Sequence, residues 1–493
     1  MYKKINHLIQ SNVFEYILLS LIILVGFSLR LYKINNPIAD WHSWRQADTA
    51  SVAKIYVENG INLFLPRYHD ISSIQTGIFN PNGYRMVEFP IYSAIHASLT
   101  KNFPSLSLEV WGRLLSISLT MFSSILIYFI GKKFLGRWGG LLASWFYLII
   151  PFNIYFTRVI LPEPFGVFAA LFGMWLFILF IEREKKYLLY SSAIFLALSL
   201  LIKPFLGFYM LPLGYLFYEK YGLRSVKEWK FWSRYLLFAI LVFLPLFLWR
   251  FWISHYPEGI PFFEWAFNGD RIRFHPAFWR WIFGERIGHL ILGSWGLIPL
   301  IFGVLKIQEK GKYFINYFLL GALLYLSIVA TANVRHDYYQ IIIIPAIALG
   351  LSQGFLYLWN DQSINSSLSK IVSLVSILVM VLTTYPLIKD NYNINHPEIV
   401  AIGREVDQII PKDALIVAPY NGDTAFLYAT NRHGWPAVDN SIENIIDEGA
   451  DFYLSLDLNS PDTKKFEAMF ETVKKNNQYI LLDLHQSKNS VKK

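Results

Sequence analysis

The chain has 493 residues, 54% of them hydrophobic and 17% aromatic, and its mean hydropathy is positive, which excludes an ordinary soluble protein and describes one built around a membrane. The net charge of +9 does not point to nucleic acid, because the excess lies in short loops between apolar runs. The absence of cysteine excludes disulfides, thiolate chemistry and thiolate metal sites.

A helix needs roughly 20 apolar residues to cross the hydrocarbon core. In chain order, apolar runs near Phe14–Leu31, Val110–Ile130, Trp138–Tyr155, Pro164–Ile181, Tyr187–Ile202, Phe205–Tyr218, Trp232–Ile253, Ile287–Leu305, Tyr313–Ala330, Tyr338–Trp359 and Leu368–Ile388 predict about eleven spans. Lys3 and Lys4 precede the first as in a signal peptide, but no small-residue cleavage site follows, so it reads as an uncleaved span. Pro204 cannot continue the fifth helix, so the fifth and sixth form a hairpin.

Lys and Arg gather in every second gap: Lys132, Lys133 and Arg137; Arg183, Lys185 and Lys186; Lys220, Arg224, Lys227, Lys230 and Arg234; Lys306, Lys310 and Lys312; and, weakly, Lys370. Cytoplasmic loops carry such an excess. The pattern predicts a multi-pass protein of the cytoplasmic membrane with its N-terminus inside, and with the loop 32–108 and the tail beyond 390 outside.

Within the first long loop, Ser43–Asn59 has apolar residues at helical spacing and stops at Gly60, which predicts an amphipathic helix in the membrane interface. Phe89–Leu99 predicts a second, and Asn80-Pro81-Asn82-Gly83 is turn chemistry. The loop 254–286 mixes Trp265, Phe267, Phe274, Phe278, Trp279, Trp281 and Phe283 with Arg271, Arg273, Arg280 and Arg286. It reads either as an interfacial aromatic belt or as a lid over a lipid or acceptor groove. Beyond Lys389, Ala414–Pro419 and Ala450–Leu456 predict buried strands, and Ile399–Ile409 and Thr463–Lys475 helices. The expected fold class is an all-α polytopic membrane domain, residues 1–389, followed by a small extracytoplasmic α/β domain, residues 390–493.

Asp40, Glu88, Arg158, Glu163, Lys203 and Arg335 are charges on or beside apolar segments of the predicted outer side. Charges in such places are costly and usually functional. Cations hold a phosphate by charge-assisted hydrogen bonds, and a carboxylate takes a proton from an acceptor hydroxyl. No Gly-rich phosphate loop is present, so a lipid-phosphate donor fits better than a nucleotide sugar. His42, His69 and His96 match no metal-ligand spacing; the expectation is no metal site and no cofactor, with a divalent cation at Asp40 as the alternative.

An acidic residue after the first span, a long first outer loop and an acidic-Pro motif before the fourth span together resemble the membrane glycosyltransferases of the GT-C fold. The likeness extends over nearly the whole chain, nearest to the bacterial relatives of protein O-mannosyltransferases and of the lipid A aminoarabinose transferase. The resemblance implies that Asp40 is the catalytic acidic residue and that DWHSWRQADTA is a first-loop motif carrying Arg45. Glu88-Phe89-Pro90 resembles an acidic-Lys-Pro motif, with Phe89 where that branch has a phosphate-binding lysine. Arg158 to Glu163-Pro164 resembles the Arg…Asp-Pro motif, Lys203-Pro204 a Lys-Gly-Pro motif, and Arg335-His336 with Tyr338 and Tyr339 the Arg…Tyr motif. In the family such cations and tyrosines surround the lipid phosphate. From the residues alone, Glu163 could instead pair with Arg158, and Lys203 could snorkel to headgroups.

The expected function is transfer of a sugar from a polyprenyl-phosphate carrier to a glycan, lipid or protein hydroxyl at the outer face of the cytoplasmic membrane, with inversion and with Asp40 as general base. Membrane lipids are the other expected partners. A transporter of lipid-linked substrates would show related halves with broken helices at the midplane. A polysaccharide polymerase or ligase would place its long loop late in the chain.

Overall fold

The computed structural model describes residues 11–222, 229–305, 313–360, 365–394 and 396–488. Lys3, Lys4, Arg224, Lys227, Lys306, Lys310 and Lys312 lie outside the described residues, as does the Lys230 side chain. The chain divides into two compact units, one of Met1–Ile34, Arg113–Trp249 and Phe263–Asn391, the other of Asn35–Gly112, Arg250–Phe262 and Tyr392–Lys493.

The first unit is helical. Every apolar run predicted as a span is helical over most of its length, and among the described residues six helices are long and apolar enough to cross a membrane. Lys186–Ile202 and Phe314–Ile328 are shorter apolar helices. This is a multi-pass membrane protein. Leu108–Ile149 runs as one helical stretch through the expected loop at Lys132–Arg137, interrupted at Gly136, whose φ of 78° suits glycine. That stretch ends where Pro151 removes a donor, and the Asn153 amide supplies one instead, donating to the Tyr147 carbonyl at 2.6 Å. The fully buried Arg30 guanidinium donates to the Leu148 carbonyl at 3.1 Å and to Thr157 Oγ1 at 2.8 Å, stitching the first helix, Asn12–Arg30, to the same break. Near the other end of that helix, the buried Glu15 accepts from Tyr128 Oη at 2.5 Å and pairs with Lys132 at 2.9 Å and Arg137 at 3.2 Å.

The predicted span Ile287–Leu305 is broken in two. A wide helical coil, Arg280–Ile291, gives way to a turn in which Gly293 and Ser294 have φ of 50° and 61°, and Leu297–Leu305 follows. The turn needs glycine, since a Cβ at Gly293 would lie 2.7 Å from the Met380 carbonyl oxygen. At Lys203 the backbone is extended, and Pro204 opens a tight coil, Pro204–Met210, before Leu211–Tyr221, as the proline requires.

The second unit carries a five-stranded sheet in the order β2-β1-β3-β5-β4, where β1 is Ile416–Val417, β2 Gly434–Trp435, β3 Phe452–Ser455, β4 Phe470–Lys475 and β5 Ile480–Ser487. β1 is parallel to β2 and β3, and β5 is antiparallel to β3 and β4. Both predicted strands are present. The predicted helix Thr463–Lys475 ends at Met469 and continues as β4, because Asn476 caps a tight turn (its Oδ1 accepts from Gln478 and Tyr479) and folds the chain back into a ladder with β5.

The first long loop belongs to this unit. Ser43–Asn59 is a helix that stops at Gly60, where φ is 87°, and Ile91–Asn102 is a second helix. Ser43–Asn59 is enclosed by protein over most of its length, with residues 45–53 buried, Arg45, Gln46 and Asp48 among them. The Asn80–Gly83 turn closes with Gly83 N–H on the Asn80 carbonyl at 2.8 Å. The loop joins the sheet beside β2: Ile71 N–H donates to the Gly434 carbonyl and Gly434 N–H to the His69 carbonyl, each at 2.9 Å. Ile71 and Phe79 then pack into the core with Val417, Trp435, Tyr453 and Leu482.

Candidate functional site

In the second unit, Asp40 lies just ahead of the helix Ser43–Asn59 and is 3% exposed. The Gln46 amide, in that helix's first turns, donates to Asp40 Oδ1 at 2.6 Å and to the Trp41 carbonyl at 3.2 Å, which fixes the carboxylate. His42, with φ 56° and ψ 40°, turns the chain into the helix. Asp40, Trp41, His42, Trp44, Tyr420 and Asp423 contribute to the lining of a cavity of about 260 Å³. A buried carboxylate presented to a cavity can accept a proton from a bound hydroxyl.

Arg45 is engaged by Glu88, one guanidinium nitrogen reaching both carboxylate oxygens at 3.1 and 3.2 Å. Asp48 is neither solvated nor open to a ligand: it is 1% exposed, pairs with Arg85 at 2.7 Å and accepts from Thr424 Oγ1 at 2.7 Å. Arg85 also donates to Gln75 Oε1 at 2.5 Å and lies over the Tyr68 ring. Asp70 accepts from Ser72 N–H at 2.8 Å, and burial pushes its carboxyl up to about 7. His69 bonds Ser51, and the His96 ring bonds the Leu108 carbonyl at 2.6 Å; burial pushes His96 down to about 4. These two histidines therefore serve the packing of the unit. Among the described residues no group of three or more His, Asp or Glu is placed to hold a metal ion.

In the first unit, Glu163 opens the helix Glu163–Arg183, is 1% exposed and pairs with Lys203. Lys203 is held at the extended break before Pro204, and its ammonium lies over the rings of Tyr339 at 4.3 Å and Tyr338 at 5.4 Å. Its side chain is largely enclosed, so it does not snorkel to headgroups. Arg158 is fully buried and donates to the Lys33 carbonyl at 2.7 Å. His336 stacks on Tyr338 and Tyr339 with ring centroids 5.7 and 6.3 Å apart. Trp265 meets the His336 ring at 5.6 Å and lies under the Arg335 guanidinium at 5.8 Å, and Asp270 approaches Arg335 at 3.9 Å. That part of the aromatic loop thus contacts Arg335 and His336, while Phe274, Trp281 and Phe283 stay exposed as a belt would.

Residues 92–249 match the family of dolichyl-phosphate-mannose-protein mannosyltransferases. No curated protein sequence matches the chain significantly. The structure is similar to ArnT from Cupriavidus metallidurans bound to undecaprenyl phosphate, with a TM-score of 0.62 and 13% identity, over 96% of this chain and 98% of the other. The apo form of that protein gives 0.60 and 12%, over 95% and 97%. The oligosaccharyltransferase of Archaeoglobus fulgidus, in complex with zinc and sulfate, gives 0.55 and 9%, over 89% of this chain and 67% of the other. The fold is GT-C-like. Within this GT-C-like chain, several contributors have no signature in a single sequence: Gln46, Arg85, Ser43 and Thr424 are ordinary polar residues until folding places them. The signal available is Arg45 and Asp48, one turn apart among apolar residues of the same helix, since polar groups buried in a helix must have partners.

Proposed function

We propose that this protein is a glycosyltransferase that moves a sugar from a polyprenyl-phosphate donor to a hydroxyl of a glycan, lipid or protein at the outer face of the cytoplasmic membrane. The observation that carries the reading is Asp40, a buried carboxylate oriented by Gln46 and lining a cavity. The fold likeness to ArnT, solved with undecaprenyl phosphate, supports the donor class. The loop charges support the outer face.

In the proposed reaction the acceptor O–H gives its proton to Asp40 as the oxygen forms a bond to the anomeric carbon. The bond from that carbon to the phosphate oxygen breaks, its electron pair stays with the phosphate, and polyprenyl phosphate leaves. A single displacement inverts the anomeric centre. Lys203 and Arg335 are assigned to the phosphate, whose growing charge they stabilise. Tyr338 and Tyr339 keep Lys203 oriented through their rings, His336 stacks on both, and Trp265 lies under Arg335. Glu163 orients Lys203, Arg158 ties the start of its helix region to the first span's end, and the Arg45–Glu88 pair braces the helix that carries Gln46. The test is a mass measurement of products after incubating the purified protein with a panel of polyprenyl-phosphate sugars, followed by assignment of the new linkage. A glycosylated acceptor with inverted configuration is expected; a retained configuration, or no transfer from any lipid-phosphate sugar, would contradict the proposal.

A further inference from the structure

Asp40 shares its cavity with the C-terminal segment. That segment arrives through the tight turn Tyr420-Asn421-Gly422-Asp423, closed by Asp423 N–H on the Tyr420 carbonyl at 2.8 Å. Asn421 and Gly422 have φ of 53° and 78°, the left-handed pair that an Asn-Gly turn adopts at little cost. The turn sets Tyr420 and Asp423 side by side in the cavity lining. Asp423 is fixed from two directions: Oδ1 accepts from Ala425 N–H at 2.7 Å, capping the helix Thr424–Thr430, and Oδ2 accepts from Ser43 Oγ at 2.9 Å. Ser43 begins the helix whose Gln46 holds Asp40, so the turn and the carboxylate are braced through the same element.

The lining chemistry selects the occupant. Two carboxylates, Asp40 and Asp423, stand among Trp41, Trp44 and Tyr420 with the rings of His42 and His396, and among the described residues no Lys or Arg lines the cavity. A phosphate there would meet two carboxylates without a lining Lys or Arg. A neutral sugar ring suits it better: its hydroxyls donate to carboxylates, and its C–H face packs on aromatic rings. The volume of about 260 Å³ matches one small ring rather than a lipid or a peptide. Burial also raises the Asp423 carboxyl above its usual range, which favours a neutral partner. We infer that this cavity is the acceptor-sugar subsite, and that Tyr420 and Asp423 are its specificity-determining contacts. The inference rests on the proposed role of Asp40 and narrows the acceptor to a carbohydrate.

Saturation-transfer NMR of the full-length protein with a panel of methyl hexosides and pentosides tests it. At least one glycoside should receive saturation, and polyprenyl phosphate should not displace it. Asp423→Ala and Tyr420→Ala should each weaken that binding at least tenfold. Asp423→Asn, which keeps the helix cap, should weaken it as well and so guards against a folding artefact. No saturated glycoside, wild-type binding in all three variants, or displacement by polyprenyl phosphate would overturn the inference. The two readings fail separately. Sugar transfer with an acceptor KM indifferent to Tyr420 and Asp423 would remove this subsite and leave the proposed reaction standing. Glycoside binding that depends on them, without transfer from any lipid-phosphate sugar, would do the reverse.

Discussion

Lys203 and Arg335 are both assigned to phosphate, yet their surroundings differ. Arg335 has an exposed side chain with a distant Asp270, whereas Lys203 neutralises a buried Glu163. Arg335→Ala should therefore raise the donor KM by roughly 10- to 100-fold, the worth of one charge-assisted contact, with thermal stability unchanged. Lys203→Ala should raise the donor KM similarly and also lower Tm, because it takes a cation away from a buried carboxylate. Adding Glu163→Gln should restore stability but not donor affinity, and an effect confined to the acceptor KM would argue against phosphate binding. Asp70 offers a pH test. Its folded carboxyl sits at about 7 against an ordinary 3.8, so its protonated form is the one the fold prefers. The stability it contributes is full below its ordinary value and is lost as pH rises through about 7. Asp70→Asn should gain in Tm relative to the native chain between pH 5 and pH 8; a gap constant with pH would contradict this. The charges themselves were legible in the sequence, because a charge beside an apolar run stands out. Their pairings were not: Lys203 reaches Glu163 across forty positions, and Asp48 found Arg85, since partner choice depends on packing between elements distant in the chain.

The helices were legible because apolar length and Pro or Gly punctuation are local signals. Ser43–Asn59 runs to Gly60 as read, and Pro204 starts a new element. The failures lie where tertiary pairing overrides local preference. Residues 470–475 read as the end of a helix but extend as β4 once β5 is beside them. The run 287–305 read as one span, but Gly293 and Ser294 turn the chain against the helix Ser366–Lys389. β2 has no room for a side chain at Gly434. Gly434 lies so close to β1 that a Cβ would stand 2.7 Å from the Ile416 carbonyl carbon, and it bonds the first long loop through His69 and Ile71. Gly434→Ala should thus loosen both the sheet and that loop. Limited proteolysis should cut within residues 60–90 as well as in the C-terminal segment, and cleavage of the C-terminal segment alone would show that the loop folds without β2.

At the scale of the molecule, the composition announced a membrane protein, and the order of motifs announced the GT-C-like fold. Hidden from the sequence was that the first long loop and the tail form one unit, because the residues that join them, Asp70 with Gly434 and Ser73 with Asp439, are hundreds of positions apart. The proposed topology follows from Lys and Arg in alternate loops. A reporter fused after Lys493 should be active only outside the cytoplasm; activity only inside would reverse the orientation and the assignment of the outer face with it. The central claim is that Asp40 is the base of a sugar transfer. The direct measurement is the initial rate of transfer from a polyprenyl-phosphate sugar by purified native protein and by Asp40→Asn, an exchange that keeps shape and removes the proton acceptor. A general base contributes about 10²–10⁴-fold, so the variant should lose at least that lower factor in kcat while its Tm and donor binding stay as in the native chain. Transfer by Asp40→Asn at a near-native rate would contradict the account.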